Sequence, residues 1–405
     1  MANQPEIRLL FVVNTLKRRG AEQQLFNFVK ALPNNLQISI FRFSDGEEEF
    51  PEFLHYDKVT IYSTPQSGTY NLLRFFPLYR CLKEGKFDVV VTVGLGASLF
   101  FGRICAILNK VKICYSLLNT FENFYNLPTL PGDYFDVLNK TLNRITPLLP
   151  GNRCYRFLPN SETLSEKIKH HVRGYPVNTL CNGYVREDFT GHKSFPADAI
   201  DPFIMESLKT FPVITQIGAM DVNKNQMFTL HVLKKILPVL PEVRLLLIGE
   251  GDQHEKLADF VNSSGLKNHV IWAGQRNREQ CLFLMAKSSL VVLTSGSESF
   301  PNVIVEAQAL SIPVVSFDVG AASDITTHGK TGYIVRPGDM EAFGNAIISL
   351  ISDPEMRKSM GAKGHERIFN LFSMDNRVST FLSLIENDRC SVNPTKTATL
   401  PPNRQ

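Results

Sequence analysis

Twelve short apolar runs, each separated from the next by helical or polar pattern, constrain this chain more than any other feature. The first six read IRLLFVV (7–13), LQISIF (36–41), KVTIYS (58–63), FDVVVTVG (87–94), VKICYSL (111–117) and CYRFLPN (154–160). The second six read FPVITQIG (211–218), VRLLLIGEG (243–251), HVIWAG (269–274), LVVLTS (290–295), IPVVSF (312–317) and TGYIV (331–335). Apolar β-type runs that alternate with helical patterns are the signature of parallel α/β layers. Each set suffices for one doubly wound sheet, and 405 residues suit two domains of roughly 150–200 residues each. The Pro-, Gly- and polar-rich stretch NGYVREDFTGHKSFPADAIDP (182–202) is expected as the linker. The domains are therefore expected at 1–190 and 191–372, with a helix at about 373–388 packing back on the first. Residues 389–405, which end in NPTKTATLPPNRQ without hydrophobic periodicity, are expected as a disordered tail. Two such sheets facing one another would leave a cleft, and ligands of these sheets bind beyond the carboxyl ends of the strands.

Composition removes several classes of function. Hydrophobic content of 43% and charged content of 20% describe a globular protein, and no run of about 20 apolar residues exists to cross a membrane. The start, MANQPEIRLLFVV, has no basic region or cleavage site, so no signal peptide is expected. Seven scattered cysteines without CxxC spacing suit reduced thiols and a cytoplasmic location. The formal charge is +4, and the excess lies in the first half: residues 1–190 carry 22 Lys/Arg against 17 Asp/Glu. It concentrates in residues 71–112, which hold Arg74, Arg80, Lys83, Lys86, Arg103, Lys110 and Lys112 against Glu84 and Asp88. The segment TYNLLRFFPLYRCLKEGKF (69–87) interleaves those charges with aromatic and aliphatic residues, a composition able to lie on an anionic membrane surface. A helix packing its apolar stripe on a sheet gives the same letters, and Pro77 interrupts any long helix. Nucleic acid is not an expected partner, because +4 without an aromatic and basic module lacks the footprint. No Asp-X-Asp occurs, so no metal is expected; Gly249 and Gly251 form no full dinucleotide pattern, and no P-loop is present. The adjacent His170 and His171 are read as helix surface.

The stretch SESFPNVIVEAQALSIPVV (297–315) carries chemistry. It reads as a turn followed by a helix, with Pro301 at the first helical position, where its missing N–H costs nothing. Free amides at 299–303 are then available to a phosphate or a sugar hydroxyl. Glu298 precedes the helix and Glu306 lies in its second turn, so both carboxylates can face one ligand. A carboxylate accepts two hydrogen bonds from a vicinal diol. An acid near a helix N-terminus is also favoured by the dipole alone, by about 0.3–1 kcal/mol.

The longer segment 298–339, ESFPNVIVEAQALSIPVVSFDVGAASDITTHGKTGYIVRPGD, resembles the E-x7-E region of the retaining glycosyltransferases of family four, enzymes of the GT-B fold. LLFVVNTLKRRGAEQQLFNFVKALP (9–33) is similar to that family's first strand, Gly-Ala-Glu loop and helix. FLPNSETLSEKI and TLCNGYVREDF resemble its Asn-Ser and Asn-Gly segments. The resemblance covers roughly residues 7–372; the stretch 120–152 matches nothing nameable. It implies two Rossmann-like doubly wound domains facing across a cleft, the first binding the acceptor and the second a nucleoside-diphosphate sugar. It implies that Glu306 holds the ribose diol and that Glu298 meets the donor sugar beside the reacting carbon. The backbone at Phe300, Pro301 and Asn302 meets sugar and diphosphate, Lys224 neutralises the diphosphate, and Gly20 approaches it from the first domain. The base lies near Gly274, Gln275 and Arg276. Catalytic roles thus fall on Glu298 and Lys224.

Two positions depart from the family's pattern. Ala219 stands where an arginine usually follows the glycine of the second domain's first strand, and Leu118 stands where a histidine commonly precedes Asn119, a residue on the sugar side. Arg276 or Lys17, Arg18 and Arg19 are the cations that could replace the first. The expected activity is transfer of a sugar, with retention, from a nucleotide sugar to a hydroxyl of a glycan or lipid-linked acceptor, as in surface-glycan synthesis. The site would lie peripherally on the cytoplasmic face of a membrane. The alternatives are a catalytically silent nucleotide-sugar-binding subunit and another GT-B enzyme such as a sugar-nucleotide epimerase.

Overall fold

The structure is a computed structural model that describes residues 7–16, 20–43, 51–63, 75–94, 97–119, 154–172, 174–190 and 195–392. Expectations for Lys17–Arg19, for 69–74, for 120–152 and for 393–405 fall outside the described residues. The chain divides into two compact units, residues 1–183 with 374–405, and residues 184–373.

All twelve expected strands are present. In the first unit they are β1 (Ile7–Val13), β2 (Leu36–Arg42), β3 (Val59–Ser63), β4 (Val89–Val93), β5 (Ile113–Leu118) and β6 (Cys154–Pro159). In the second they are β7 (Val213–Ile217), β8 (Arg244–Ile248), β9 (Val270–Gly274), β10 (Leu290–Leu293), β11 (Val314–Phe317) and β12 (Gly332–Val335). Every pairing is parallel. The first sheet is ordered β3-β2-β1-β4-β5-β6 and the second β12-β11-β10-β7-β8-β9, the same doubly wound order twice. Leu9, Leu10, Phe11 and Val12 of β1 are each 0% exposed, which is why the run carries no polar side. Burying each such side chain contributes about 1.5–3 kcal/mol. The order reverses between β1 and β4 and between β7 and β10, and loops leaving the two strands on either side of such a reversal diverge to form a binding crevice.

The last helix, Met374–Val392, belongs to the first unit. Phe381, fully buried, packs its ring 5.1 Å from Phe28 and 5.9 Å from Tyr115. One turn from its end, the buried Asp388 accepts from the Tyr115 hydroxyl at 2.7 Å and pairs with the Arg156 guanidinium at 2.5 Å. Arg377 lies over the Phe28 ring at 4.6 Å and donates to Gln24 Oε1 at 3.2 Å. Because the helix runs to Val392, residues 389–392, expected in the tail, are helical instead.

Residues 184–190, placed by the sequence in the first domain, cluster with the second unit. The reason is aromatic: Tyr184 and Phe189 are 6% and 4% exposed, Phe189 meets the Phe369 ring at 5.9 Å, and Tyr184 N donates to Phe372 O at 2.8 Å. The polar letters between them concealed two anchors. Among the described residues no helix is long and apolar enough to cross a membrane. Cys81, Cys105, Cys114, Cys181, Cys281 and Cys390 form no disulfide, and burial pushes the Cys81 and Cys105 thiols up to about 12.

Candidate donor site

The second unit brings two of the expected side chains together on the loops that leave β7 and β10, the two strands at the reversal. Lys224 follows β7, Glu298 follows β10, and Lys224 Nζ donates to Glu298 Oε1 at 2.6 Å. Both are largely shielded, with side chains 25% and 15% exposed, so the pair works in a lower effective dielectric than bulk water.

The backbone around both residues is clipped in place. Lys224 N donates to Asp221 Oδ1 at 2.8 Å, and its carbonyl accepts from Gln216 Nε2 at 3.0 Å and Thr294 Oγ1 at 3.1 Å. Gln216 and Thr294 are buried in β7 and just past β10, so the lysine loop hangs from the strands themselves. The Asn223 amide spans to the other loop, donating to Ser297 O at 3.1 Å and accepting from Ser297 N at 3.0 Å. On its far side the Glu298 segment meets Gly320, which sits at φ +55, and any Cβ there would lie 2.1 Å from Glu298 O. Glycine is the residue that fits that approach.

The helix Asn302–Ala309 begins one residue later than expected: Pro301 takes the N-cap rather than the first helical position, and Ile304 N donates to Pro301 O at 3.0 Å. Proline suits that place equally, since its φ of −74 lies at its ring's natural value. Phe300 is 8% exposed with its ring 6.0 Å from Phe372, and the Asn302 side chain accepts from the Tyr184 hydroxyl at 2.7 Å. Glu306 sits in the second turn with its side chain 18% exposed. Arg278 Nε donates to Glu306 Oε1 at 3.2 Å. Burial pushes the Glu306 carboxyl above the usual carboxylate range, and the Arg278 charge and hydrogen bond oppose that rise.

The remaining expected residues are placed as follows. Gly274 closes β9 at φ +65 beside Glu250, whose Oε1 would stand 3.3 Å from an added Cβ. Gln275 is exposed in the turn after it, and Arg276 is half-buried with an Nε that has no hydrogen-bond partner among the described residues. Gly20 and Asn119 belong to the first unit, Gly20 opening the helix Gly20–Ala31 after β1 and Asn119 directly after β5. Ala219 is exposed, its carbonyl taken by Gln226 Nε2 at 2.9 Å. Leu118 is fully buried in a cluster with Leu99, Phe157 and Leu164, so its side chain serves the core of the first unit. Sequence reasoning missed Arg278, Asn223 and Tyr184. The signal for Arg278 was present as a cation two residues past the expected base-binding turn. Among the described residues no three His, Cys, Asp or Glu side chains gather as a metal-ligating group.

Two doubly wound units of this strand order make a fold that solved structures share. Anabaena HepE, solved in complex with UDP and with UDP-glucose, superposes on 94% of this chain and 100% of its own with TM-scores of 0.75 and 0.71 at 20% identity. That likeness assigns the GT-B fold. The sequence model described as Glycosyltransferase Family 4 matches residues 18–187, and the one described as Glycosyl transferases group 1 matches residues 199–367. The chain belongs to the family-four glycosyltransferases. N-acetyl-α-D-glucosaminyl L-malate synthase of Bacillus anthracis is 29% identical over 140 residues, 35% of this chain and 36% of that protein. The capsular polysaccharide biosynthesis glycosyltransferase CapM of Staphylococcus aureus is 37% identical over 179 residues, 42% of this chain and 46% of that protein. The chain thus spans between about a third and a half of the length of these curated relatives.

Proposed function

We propose that this chain transfers a sugar, with its anomeric configuration kept, from a nucleoside-diphosphate sugar to a hydroxyl of a glycan or lipid-linked acceptor in the synthesis of a surface polysaccharide. The observation that carries the reading is the Lys224–Glu298 pair at the reversal between β7 and β10, with Glu306 on the helix that follows. As the glycosidic bond to the diphosphate breaks, negative charge develops on the leaving phosphates. A lysine already fixed by its own backbone, together with the helix amides at Asn302 and Val303, meets that charge without reorganising. Glu298 lies beside it for the sugar, and Glu306 offers acceptor oxygens to a ribose diol. No metal is assigned a role, since these groups supply the positive charge.

Support for a nucleotide sugar comes from HepE, which was solved with UDP and UDP-glucose, and support for a glycan product comes from CapM, whose name is that of a capsular polysaccharide enzyme. The first unit is assigned the acceptor. Its basic outer helix suggests an acceptor at an anionic membrane surface, with the protein peripheral on the cytoplasmic face. The second reading, a silent nucleotide-sugar-binding subunit, rests on the exposed methyl of Ala219, where the family's pattern has a cation.

The experiment is donor turnover by the purified chain. UDP-glucose and other nucleoside-diphosphate sugars are screened first by thermal shift, where a ligand at 100 times its Kd stabilises by about 2.7 kcal/mol. Release of nucleoside diphosphate, with the anomeric configuration of the product read by NMR, supports the transferase. Binding without release under any acceptor supports the silent subunit, and inversion at the anomeric carbon sinks the retaining assignment.

A further inference from the structure

Glu306 is held from one side. Its Oε1 accepts from Arg278 Nε at 3.2 Å, and no protein group among the described residues bonds Oε2. The Arg278 guanidinium in turn lies over the Phe189 ring, 5.5 Å from its centroid. Phe189 is itself fixed, 4% exposed and in ring contact with Tyr184 at 6.2 Å and Phe369 at 5.9 Å. A chain of contacts therefore runs from the segment Tyr184–Phe189 through Arg278 to the carboxylate. About half of the Arg278 side chain, 49%, remains exposed.

A carboxylate that is to grip a cis diol needs ionised oxygens and a fixed plane. Its four lone-pair directions can serve two ligand hydroxyls and one guanidinium N–H together. Resting on the donor reading above, we propose that Arg278, carried by Phe189, is a positioning residue that holds the Glu306 carboxylate for a vicinal diol, and so lets the second unit tell a ribonucleotide from its 2′-deoxy counterpart. The groups that bear on Glu306 are few. Arg278 and Cys281 approach from the helix Arg278–Ala286, and Arg276, just before it, acts on Cys281. From the packed helix Pro354–Leu371, His365 bonds Ala309 O at the far end of the Glu306 helix and Arg186 Nη1, so neither is directed at the carboxylate. Burial raises the Glu306 carboxyl and Arg278 counters it, so loss of Arg278 moves protonation to higher pH, and a protonated acid is a poorer diol acceptor.

The test is calorimetric binding of UDP and of 2′-deoxy-UDP to the full chain between about pH 5 and 8, a range that spans the upward displacement of a buried carboxyl. A hydrogen bond to a charged group is worth about 1.5–3 kcal/mol, so wild-type protein is expected to prefer UDP by roughly 10- to 100-fold. Arg278→Met is expected to cut that preference to below about threefold and to raise the pH at which UDP affinity falls, while Arg278→Lys keeps the pH profile close to wild type. Phe189→Leu is expected to give an intermediate preference. If Arg278→Met keeps both the preference and the pH profile while Glu306→Gln loses the preference, Arg278 has no such role and the donor reading stands. If wild type binds another nucleoside diphosphate instead, that nucleotide and its 2′-deoxy form are the pair compared; if Glu306→Gln binds the nucleotide as wild type does, or wild type binds no nucleoside diphosphate, the donor reading itself fails and the inference with it.

Discussion

Lys224 and Glu298 stand 74 residues apart in the chain, yet their charged atoms lie 2.6 Å from each other. The contact follows from topology: β10 pairs with β7, Leu290 opposite Ile214, so the loops leaving the two strands are neighbours. Lysine has three donors, and one bond to Glu298 leaves two for a phosphate. On the proposed function, the pair is a resting arrangement from which Lys224 can also reach a phosphate.

Lys224→Ala is expected to lower turnover by roughly 10²–10³, the loss found when one preorganised donor at a developing charge is removed. Glu298→Gln is expected to reduce kcat more than it raises KM, because contacts beside the reacting carbon strengthen in the transition state. Lys224→Met alone also strands a shielded carboxylate, so its Tm should lie below that of the double variant Lys224→Met, Glu298→Gln. Equal melting of single and double variants would show that the pair carries no coupling.

Glu306 makes a stability prediction with a definite sign. Its carboxyl is raised above the unfolded value by burial, so the folded chain binds the extra proton and stability falls as pH rises from the ordinary carboxylate range through the raised value. Glu306→Gln removes that liability. Its Tm is expected to exceed wild type at neutral pH, with the gap closing as the pH falls toward about 4, the ordinary range for Glu. Thermal melts across that range check it, and a gap that widens on acidification would refute the sign. Stability gained where donor binding is lost would be a stability–activity exchange.

Asp388 secures the last helix to the first sheet through Arg156 and Tyr115. Asp388→Ala removes the carboxylate that pairs with the Arg156 guanidinium, 15% exposed, and leaves Asn178 among its acceptors; it is expected to cost about 3–5 kcal/mol in chemical denaturation. The loss should appear in the first unit, so UDP binding by the second unit should survive it. Unchanged denaturation would show that the hydrophobic contact of Phe381 alone holds the helix.

The outer helix Phe75–Gly85 presents Phe76, 63% exposed, with Arg80, Lys83 and the following Lys86 also exposed. Arg80 is paired with Glu84 at 2.7 Å, which leaves Lys83 and Lys86 as the stronger attractors. Each basic residue near an anionic surface is worth about 1 kcal/mol. Co-sedimentation with anionic vesicles at low salt is expected, with release as salt rises and loss in Lys83→Glu, Lys86→Glu. Equal pelleting with neutral vesicles would remove the electrostatic docking idea.

Much of this architecture was legible in the letters, for a reason that particular strands make plain. LLFV in β1 and LLLI in β8 are buried on both faces, and such runs admit no polar alternation to confuse them. Their ends were overdrawn where glycines extend a run past the sheet: the run to 251 ends at Ile248, because Gly249 and Gly251 turn against the Gly218 and Met220 carbonyls. Glu298 and Glu306 were singled out by their spacing about a turn and helix, and Lys224 by the family resemblance of its segment. The Arg278–Glu306 contact was not, since nothing in a linear reading brings helix Arg278–Ala286 onto the next helix. The segment 184–190 was misplaced because two aromatic anchors were outnumbered by polar neighbours.

The return of the helix Met374–Val392 to the first unit means that the second unit is, in covalent terms, an insertion: it leaves after Gly183 and rejoins at Met374. A ribosome therefore completes all six strands of the first sheet long before it makes the helix that covers Phe28 and Tyr115. The nascent first unit must wait with that apolar surface open while residues 184–373 are synthesised and can fold as one continuous stretch. A single cut cannot yield two intact halves. Severing the chain after Gly183 frees a first half without its closing helix, and co-expression of the two fragments should restore it only when the second fragment carries its last nineteen helical residues, 374–392.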